Sequence, residues 1–411
     1  MAADADISTA PTHALPRRAA AFALILIAEF FWSWCWNTVD VLRPQLRADL
    51  GLTLTQAGSA YSAQGLGALA GAFVFGQLAD RVGRRVLLAP VLGGYGALLL
   101  AGLLVDSYPQ LLAQRFALGI LLGACYPISV GIYVDLFDTR VRGRLAAMML
   151  AMFSLSLIAM GYALKFVGDD WRLMLWIGGA PPILLALLVP LAVPHLPPRP
   201  RAAGARLPAG ELFAAEFRRR TLLLALLCGL NFFAYQAFTG WMTTYLQEVR
   251  GLSAGDAGDL FALQFVGYTL GAFVWGWAAD RFGRRFAAAG FALTAATVLL
   301  FLTLPTALPL LSAAGFLYGF GLSCSVIWGP WMAELYPPHL RSTAISIFHW
   351  GRLVSFVAPL ATGALADAVG LAPAMATGSA VFAAAIAVWL ALPETLERRG
   401  RRGLHGHSSA V

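Results

Sequence analysis

The chain has 411 residues, 59% of them hydrophobic and 12% charged. A water-soluble domain carries roughly 45–50% apolar and about 25% charged residues, so this composition excludes a soluble globular protein. The formal charge of +8, which in a soluble protein would suggest nucleic acid, reports membrane topology instead.

Runs of about 20 apolar residues, each enough to cross a bilayer, follow one another along the sequence. Twelve spans are predicted, at 19–42, 57–79, 86–105, 109–134, 144–165, 173–193, 221–246, 258–279, 286–304, 307–333, 342–366 and 371–392. The first follows Arg17 and Arg18 but is too long for a signal-peptide core and lacks a small-residue cleavage site, so it is read as retained. Around the spans lie a tail (1–18), a Pro- and Arg-rich linker (194–220) and a second tail (393–411), which leaves bundles at 19–193 and 221–392. With both termini in the cytoplasm, the cytoplasmic segments hold 22 Lys and Arg and the opposite loops 5, while Arg115 and Arg352 fall within spans. That asymmetry is the positive-inside pattern. The predicted fold is an all-α membrane protein of twelve transmembrane helices in two six-helix pseudo-symmetric bundles.

In span 1, Glu29, Ser33, Trp36, Asn37 and Asp40 share one helical face. Glu29 lies near the midplane, where desolvation disfavours a charged carboxylate, as a proton carrier requires; a protonated structural Glu is the alternative. Asp40 matches the depth of Arg115 in span 4 and is expected to pair with it. At least one of Trp32, Trp34 and Trp36 should line a cavity. The end of span 2 begins a repeat: residues 64–85 and 264–285 are identical at 13 of 22 positions, a self-similarity that marks two related halves. It places Gly76, Asp80, Arg81, Gly83, Arg84 and Arg85 opposite Gly276, Asp280, Arg281, Gly283, Arg284 and Arg285. Gln64 and Gln264 recur and are read as architectural. After span 4, Asp135 and Arg142 have counterparts in Glu334 and Arg341.

Along span 4, Arg115, Gly119 and Gly123 are followed on the same face by Tyr126, Ser129 and Tyr133. Asn231, Tyr235, Phe238 and Met242 form a stripe in span 7, and Tyr318, Gly321, Ser325 and Trp328 one in span 10; each stripe suits helix packing or ligand contact. Span 11 carries His349, an interhelical donor or a relay, and Arg352 near the midplane, where a guanidinium needs an anionic partner or a wet cavity. Arg352 could hold a carboxylate in a bidentate fork, pair with Glu29, or pack between helices. Cys35, Cys125, Cys228 and Cys324 stand singly, and no metal spacing, activated nucleophile or phosphate loop is present. No metal, cofactor or enzymatic activity is expected.

The duplicated Asp-Arg-x-Gly-Arg-Arg loop resembles the signature of the major facilitator superfamily, and the resemblance covers all twelve spans. It implies that spans 1, 4, 7 and 10 surround a central cavity and that the loop residues latch the cytoplasmic side when the protein faces outward. Arg115 with its glycine face resembles the family's second signature, GRLVSFVAP (351–359) the Gly-Arg stretch of organic-acid and sugar members, and PETLERR (393–399) the tail of such symporters. Span 5 lacks the Gly-Pro motif of the drug antiporters. Trp32 to Cys35 replace the acidic pair of the aromatic-acid symporters, and the Pro194 to Arg199 stretch is a degraded sugar-porter motif.

The resulting expectation is an inner-membrane, monomeric secondary transporter with no nucleic-acid partner, taking up a small organic anion with protons. Sugar uptake, or drug or metabolite efflux by proton antiport, is the alternative. Glu29, Asp40 and Arg115 would couple protons. Arg352, Asn37, Trp36, Tyr126, Asn231, Tyr235, Trp328 and His349 would bind substrate.

Overall fold

The computed structural model describes residues 14–167, 170–195 and 208–396. The first half contains α1 (Leu15–Val41), α2 (Arg43–Leu50), α3 (Leu54–Val82), α4 (Arg84–Ala101), α5 (Tyr108–Leu136), α6 (Thr139–Val167) and α7 (Arg172–Ala192). The second contains α8 (Ala215–Phe238), α9 (Met242–Thr244), α10 (Ala254–Phe282), α11 (Ala288–Thr303) and α12 (Leu308–Leu322), then α13 (Trp328–Leu335), α14 (Arg341–Ile345), α15 (Ile347–Val369) and α16 (Leu371–Ala391). Among the described residues, ten helical runs are long and apolar enough to cross a membrane, and α11 is a shorter apolar helix.

Helix is the natural answer to such a sequence, because in hydrocarbon the backbone must satisfy its own hydrogen bonds. The ends are set by local chemistry that the repeat preserves. Thr53 and Gln56 form a capping box at the start of α3, and Ser253 caps α10 through the Asp256 N–H. Gly83 and Gly283, at φ 99° and 110°, make the sharp turns after α3 and α10, a conformation that favours glycine. A Cβ on Gly119 would lie 2.0 Å from the Gln64 carbonyl oxygen, and one on Gly319 1.8 Å from that of Gln264. The glycines thus let α5 close on α3, and α12 on α10, by the small-residue contact of membrane helices.

In the first bundle α3 packs on α5, α4 on α7, and α1 on α6 and α7; in the second, α10 packs on α12, α8 on α15 and α16, and α11 on α16. Phe73, Phe166, Leu191 and Phe273 point outward and are exposed, as residues facing lipid should be.

Spans 7 and 10 depart from the sequence reading. α8 begins at Ala215, inside the segment read as linker, because Arg218 to Arg220 extend the helix on its polar side of the apolar run. Span 7 is broken after Phe238 by a 3-10 turn (Thr239–Trp241) and a π turn (Tyr245–Val249). Span 10 is broken at Ser323–Ile327, also 3-10. Small and hydroxyl-bearing residues at these breaks reduce helix preference.

The bundles meet along α6 with α10 and α3 with α15. Their polar cross-links cluster at the end opposite the Arg-rich loops. Arg47 pairs with Glu248, Gln45 donates to Gln247 at 3.1 Å, and Lys165 pairs with Asp259 at 2.7 Å. The Asp367 carboxylate accepts from the Leu54 N–H (3.1 Å), the Thr55 N–H (2.9 Å) and the Thr55 hydroxyl (2.6 Å), at the start of α3.

Candidate functional site: a cavity between the bundles

A cavity of ≈ 170 Å³ lies between the halves. It is smaller than the roughly 300–1,000 Å³ of drug-sized sites and suits a small metabolite. From α1 it receives Glu29, Trp32, Trp36 and Asn37, and from α5 Tyr126. From α8 come Asn231, Phe232, Tyr235 and Gln236, and from α15 Phe348, Arg352 and Ser355. The face predicted for span 1 and the first part of the stripe on span 7 therefore meet Arg352 at one place.

The first-bundle wall is braced. Trp32 donates to the Leu122 carbonyl at 2.8 Å, Trp36 to the Tyr61 hydroxyl at 3.2 Å, and Gln64 to the Trp36 carbonyl at 2.9 Å. The Trp32 and Trp36 rings stack with centroids 5.4 Å apart. Trp34 faces away and donates to the Met174 carbonyl. Asn37 donates back to the Ser33 carbonyl at 2.8 Å.

Arg352 projects from the second bundle with its guanidinium carbon 5.7 Å from the Phe232 ring centroid, and Phe232 meets Phe348 edge-on at 5.1 Å. Its Nε is buried without a hydrogen-bond partner. Glu29, from α1 of the first bundle, is buried and lines the same cavity, yet no ion pair joins it to Arg352 among the described residues. Both side chains line one cavity.

Two predicted roles need correction. Asp40 does not pair with Arg115: its carboxylate takes Arg43, with the Gln236 amide donating at 3.1 Å. Arg43 follows α1 by one turn and folds back over the face that carries Asp40. Arg115 is 1% exposed, and its Nε and Nη1 have no partner. Trp328 is not a cavity residue. It is fully buried among Phe291, Phe348 and Trp389, because the 3-10 break turns Ser325, not Trp328, to the cavity. Tyr318, Phe238 and Met242 are likewise core residues. The side chains of Asp80 and His349, and the surroundings of Gly76, lie outside the described residues.

Sequence reasoning missed the cavity faces of α3, α6 and α10, namely Tyr61, Phe153, Phe265 and Tyr268. A signal was available in the repeat: Phe265 and Tyr268 stand where the first half has Gly65 and Ala68. Also missed was the closure above the cavity. There the Thr243 hydroxyl donates to the Asp40 carbonyl at 2.9 Å, and Arg43 lies 4.2 Å from the Trp241 ring centroid.

Toward the Arg-rich end the space continues. One branch shares Trp32, Trp36, Tyr126 and Arg352 with the central cavity and reaches Arg84 and Asp135. A second adjoins it at Leu150 and Tyr268 and reaches Asp280 and Arg284. At these mouths the following bonds link residues of one half. Arg84 binds Asp135 at 2.5 Å, Arg142 donates to the Val134 and Phe137 carbonyls, and Arg284 binds Asp280 and Glu334, each at 2.6 Å. The hydrogen bond to Glu334 holds the Arg284 guanidinium above its ordinary range. Glu394, from the PETLERR tail, accepts from the Arg284 and Arg285 N–H groups, both at 2.9 Å. Burial pushes its carboxyl up, but the backbone N–H groups of Arg285, Leu396, Arg284 and Thr395 outweigh burial and leave it below the usual range. Arg81, Arg281 and Arg341 are exposed.

Two repeat-related helical bundles enclosing a polar-and-aromatic cavity, closed at one end and open at the other, define a multi-pass membrane transporter. The chain belongs to the major facilitator superfamily, whose model matches residues 25–258 and 251–409, and membership in this family marks a transporter rather than an enzyme. It is 27% identical to the 4-hydroxybenzoate transporter PcaK of Acinetobacter baylyi, across 74% of this chain and 75% of that protein. It is 28% identical to the gallate transporter of Pseudomonas putida, across 90% and 92%. Among solved structures it resembles a bacterial homolog of the human lysosomal transporter Spinster in an inward-facing and occupied conformation. That match has a TM-score of 0.78 and 16% identity, and covers 92% of this chain and 97% of that one.

Proposed function

We propose that this protein is a monomeric secondary transporter of the cytoplasmic membrane that takes up a small organic anion together with protons by alternating access. Twelve helices cross the membrane, six in each of the bundles 19–193 and 221–392, and both termini and the 194–220 linker are cytoplasmic. The Arg-rich end is then the cytoplasmic end, and the closed opposite end makes this the inward-facing state. Arg352 receives the carboxylate and Glu29 carries the proton, while Asp40 and Arg115 tune the coupling. Trp36, Tyr126, Asn37 and Tyr235 cover the substrate's body. The loops around Asp80 and Asp280 latch the cytoplasmic side in the opposite state.

One observation carries this reading: Arg352 lines an aromatic cavity with its Nε buried and unpartnered, and the carboxyl group of Glu29 lines the same cavity without pairing with it. An intramembrane guanidinium left this way is an anion site. Relatives that transport 4-hydroxybenzoate and gallate support a carboxylate as cargo.

The test is calorimetric titration of purified protein with 4-hydroxybenzoate and gallate. Arg352→Lys keeps the charge but loses the planar fork, so affinity should fall about tenfold or more, and Arg352→Ala should lose binding. If D-xylose or a cationic drug binds the wild type and Arg352→Ala equally well, sugar uptake or drug efflux replaces the organic-anion reading.

A further inference from the structure

Asn231 is the second group on the cavity wall whose hydrogen bonding is incomplete. Its side chain is 5% exposed, it lines the cavity, and its Oδ1 is buried with no partner. It precedes Phe232, whose ring lies under Arg352, and stands one turn before Tyr235 on the same wall.

Its position relative to Arg352 follows from the helix contact. A Cβ on Gly351 would meet the Cys228 carbonyl carbon at 2.5 Å, so Arg352 leaves α15 at the level of Cys228. Asn231 is three residues further along α8, about 4.5 Å toward the closed end. A ligand whose carboxylate rests on Arg352 thus presents its far side to Asn231.

That far side must offer a hydrogen-bond donor, because a buried carbonyl left without one loses its hydration for nothing. An ammonium group would be repelled by Arg352, and by Arg43 beyond the closure, and Glu29 on the same cavity offers it no counter-charge once it holds the coupled proton. A hydroxyl is neutral, donates to Oδ1, and can accept from the amide nitrogen of the same side chain. Resting on the organic-anion reading above, we propose that Asn231 selects acids bearing a hydroxyl group distal to the carboxylate, accepting that hydroxyl's proton at Oδ1 while Arg352 holds the carboxylate.

The experiment measures binding of 4-hydroxybenzoate, benzoate and 4-methoxybenzoate to the purified full chain. A site built for a hydroxyl discriminates strongly against analogues without it, so wild type should favour 4-hydroxybenzoate over benzoate by about tenfold or more. The methoxy acid, which keeps the oxygen but lacks the proton, should fall at least as far as benzoate. Asn231→Leu, similar in volume, removes the unpaired carbonyl and should bring the hydroxybenzoate-to-benzoate ratio near one. The methoxy comparison needs only wild type, so it stands even if the variant does not fold. Equal wild-type affinities for the three acids, or a preference for the hydroxyl that survives Asn231→Leu, would overturn the assignment while leaving the carboxylate reading intact. Failure of all three acids to bind would overturn both.

Discussion

Glu29 is a buried carboxylic acid that lines the same cavity as Arg352 without pairing with it. If Glu29 carries the coupled proton, Glu29→Gln should reduce proton-driven accumulation in proteoliposomes to equilibration while preserving counterflow exchange. Loss of counterflow as well, with binding intact, would instead make Glu29 a cycling or structural residue. Asp40 calls for a different expectation because it has a committed partner. Arg43 is 1% exposed, and its Nε and Nη1 have no other bond, so Asp40→Asn leaves a buried guanidinium without its counter-charge. Breaking a buried pair on one side costs about 3–5 kcal/mol. A marked drop in the melting temperature of the purified protein is expected, and Arg43→Met combined with Asp40→Asn should recover much of it. An unchanged melting temperature in the single variant would show that the pair contributes little.

At the scale of elements, the repeat divides what was legible from what was not. Gln64 and Gln264, which recur 200 residues apart, proved to sit at helix contacts, with their carbonyls facing Gly119 and Gly319. Among the positions where the halves differ, Phe265 and Tyr268 proved to be cavity wall. The breaks in spans 7 and 10 escaped because apolar periodicity continues through a 3-10 or π turn. The wrong partner for Asp40 came from treating Arg43 as loop, although its i, i+3 spacing was visible. The tail was recognised by pattern, but only folding shows Glu394 seated on the N–H groups after Gly283, where a Cβ on that glycine would lie 2.6 Å from the Glu394 Oε2. Because the Glu394 carboxyl is held below its ordinary value of 4.5, its contribution is fully present above about 4.5 and is lost as pH falls through the lower folded value. Thermal melting from pH 7 downward should therefore show a steeper acid-side decline in wild type than in Glu394→Gln. Parallel curves would remove Glu394 from the tail's anchorage.

For the whole molecule, the closed end is a sum of cross-half bonds that must break together when the protein opens to the other side. Exposed ion pairs contribute about 0–1 kcal/mol each, and Lys165, with a side chain 57% exposed, belongs at the low end. Asp367 is exposed too, but it collects three hydrogen bonds at the start of α3; at the lower limit of about 0.5 kcal/mol each, their loss sums to roughly 1.5 kcal/mol, or about tenfold in a two-state ratio. Asp367→Ala should accordingly shift the population toward the open form of that end far more than Lys165→Ala. Probes at Gln45 and Gln247, whose side chains now touch across the halves, should report a second, longer distance in Asp367→Ala and little change in Lys165→Ala. The decisive comparison is between the two variants in one lipid and at one salt concentration, because a shift from screening would appear in the exposed pair first. If Lys165→Ala opens the end as readily as Asp367→Ala, closure is held by surface charge, and rising ionic strength alone should open the wild type.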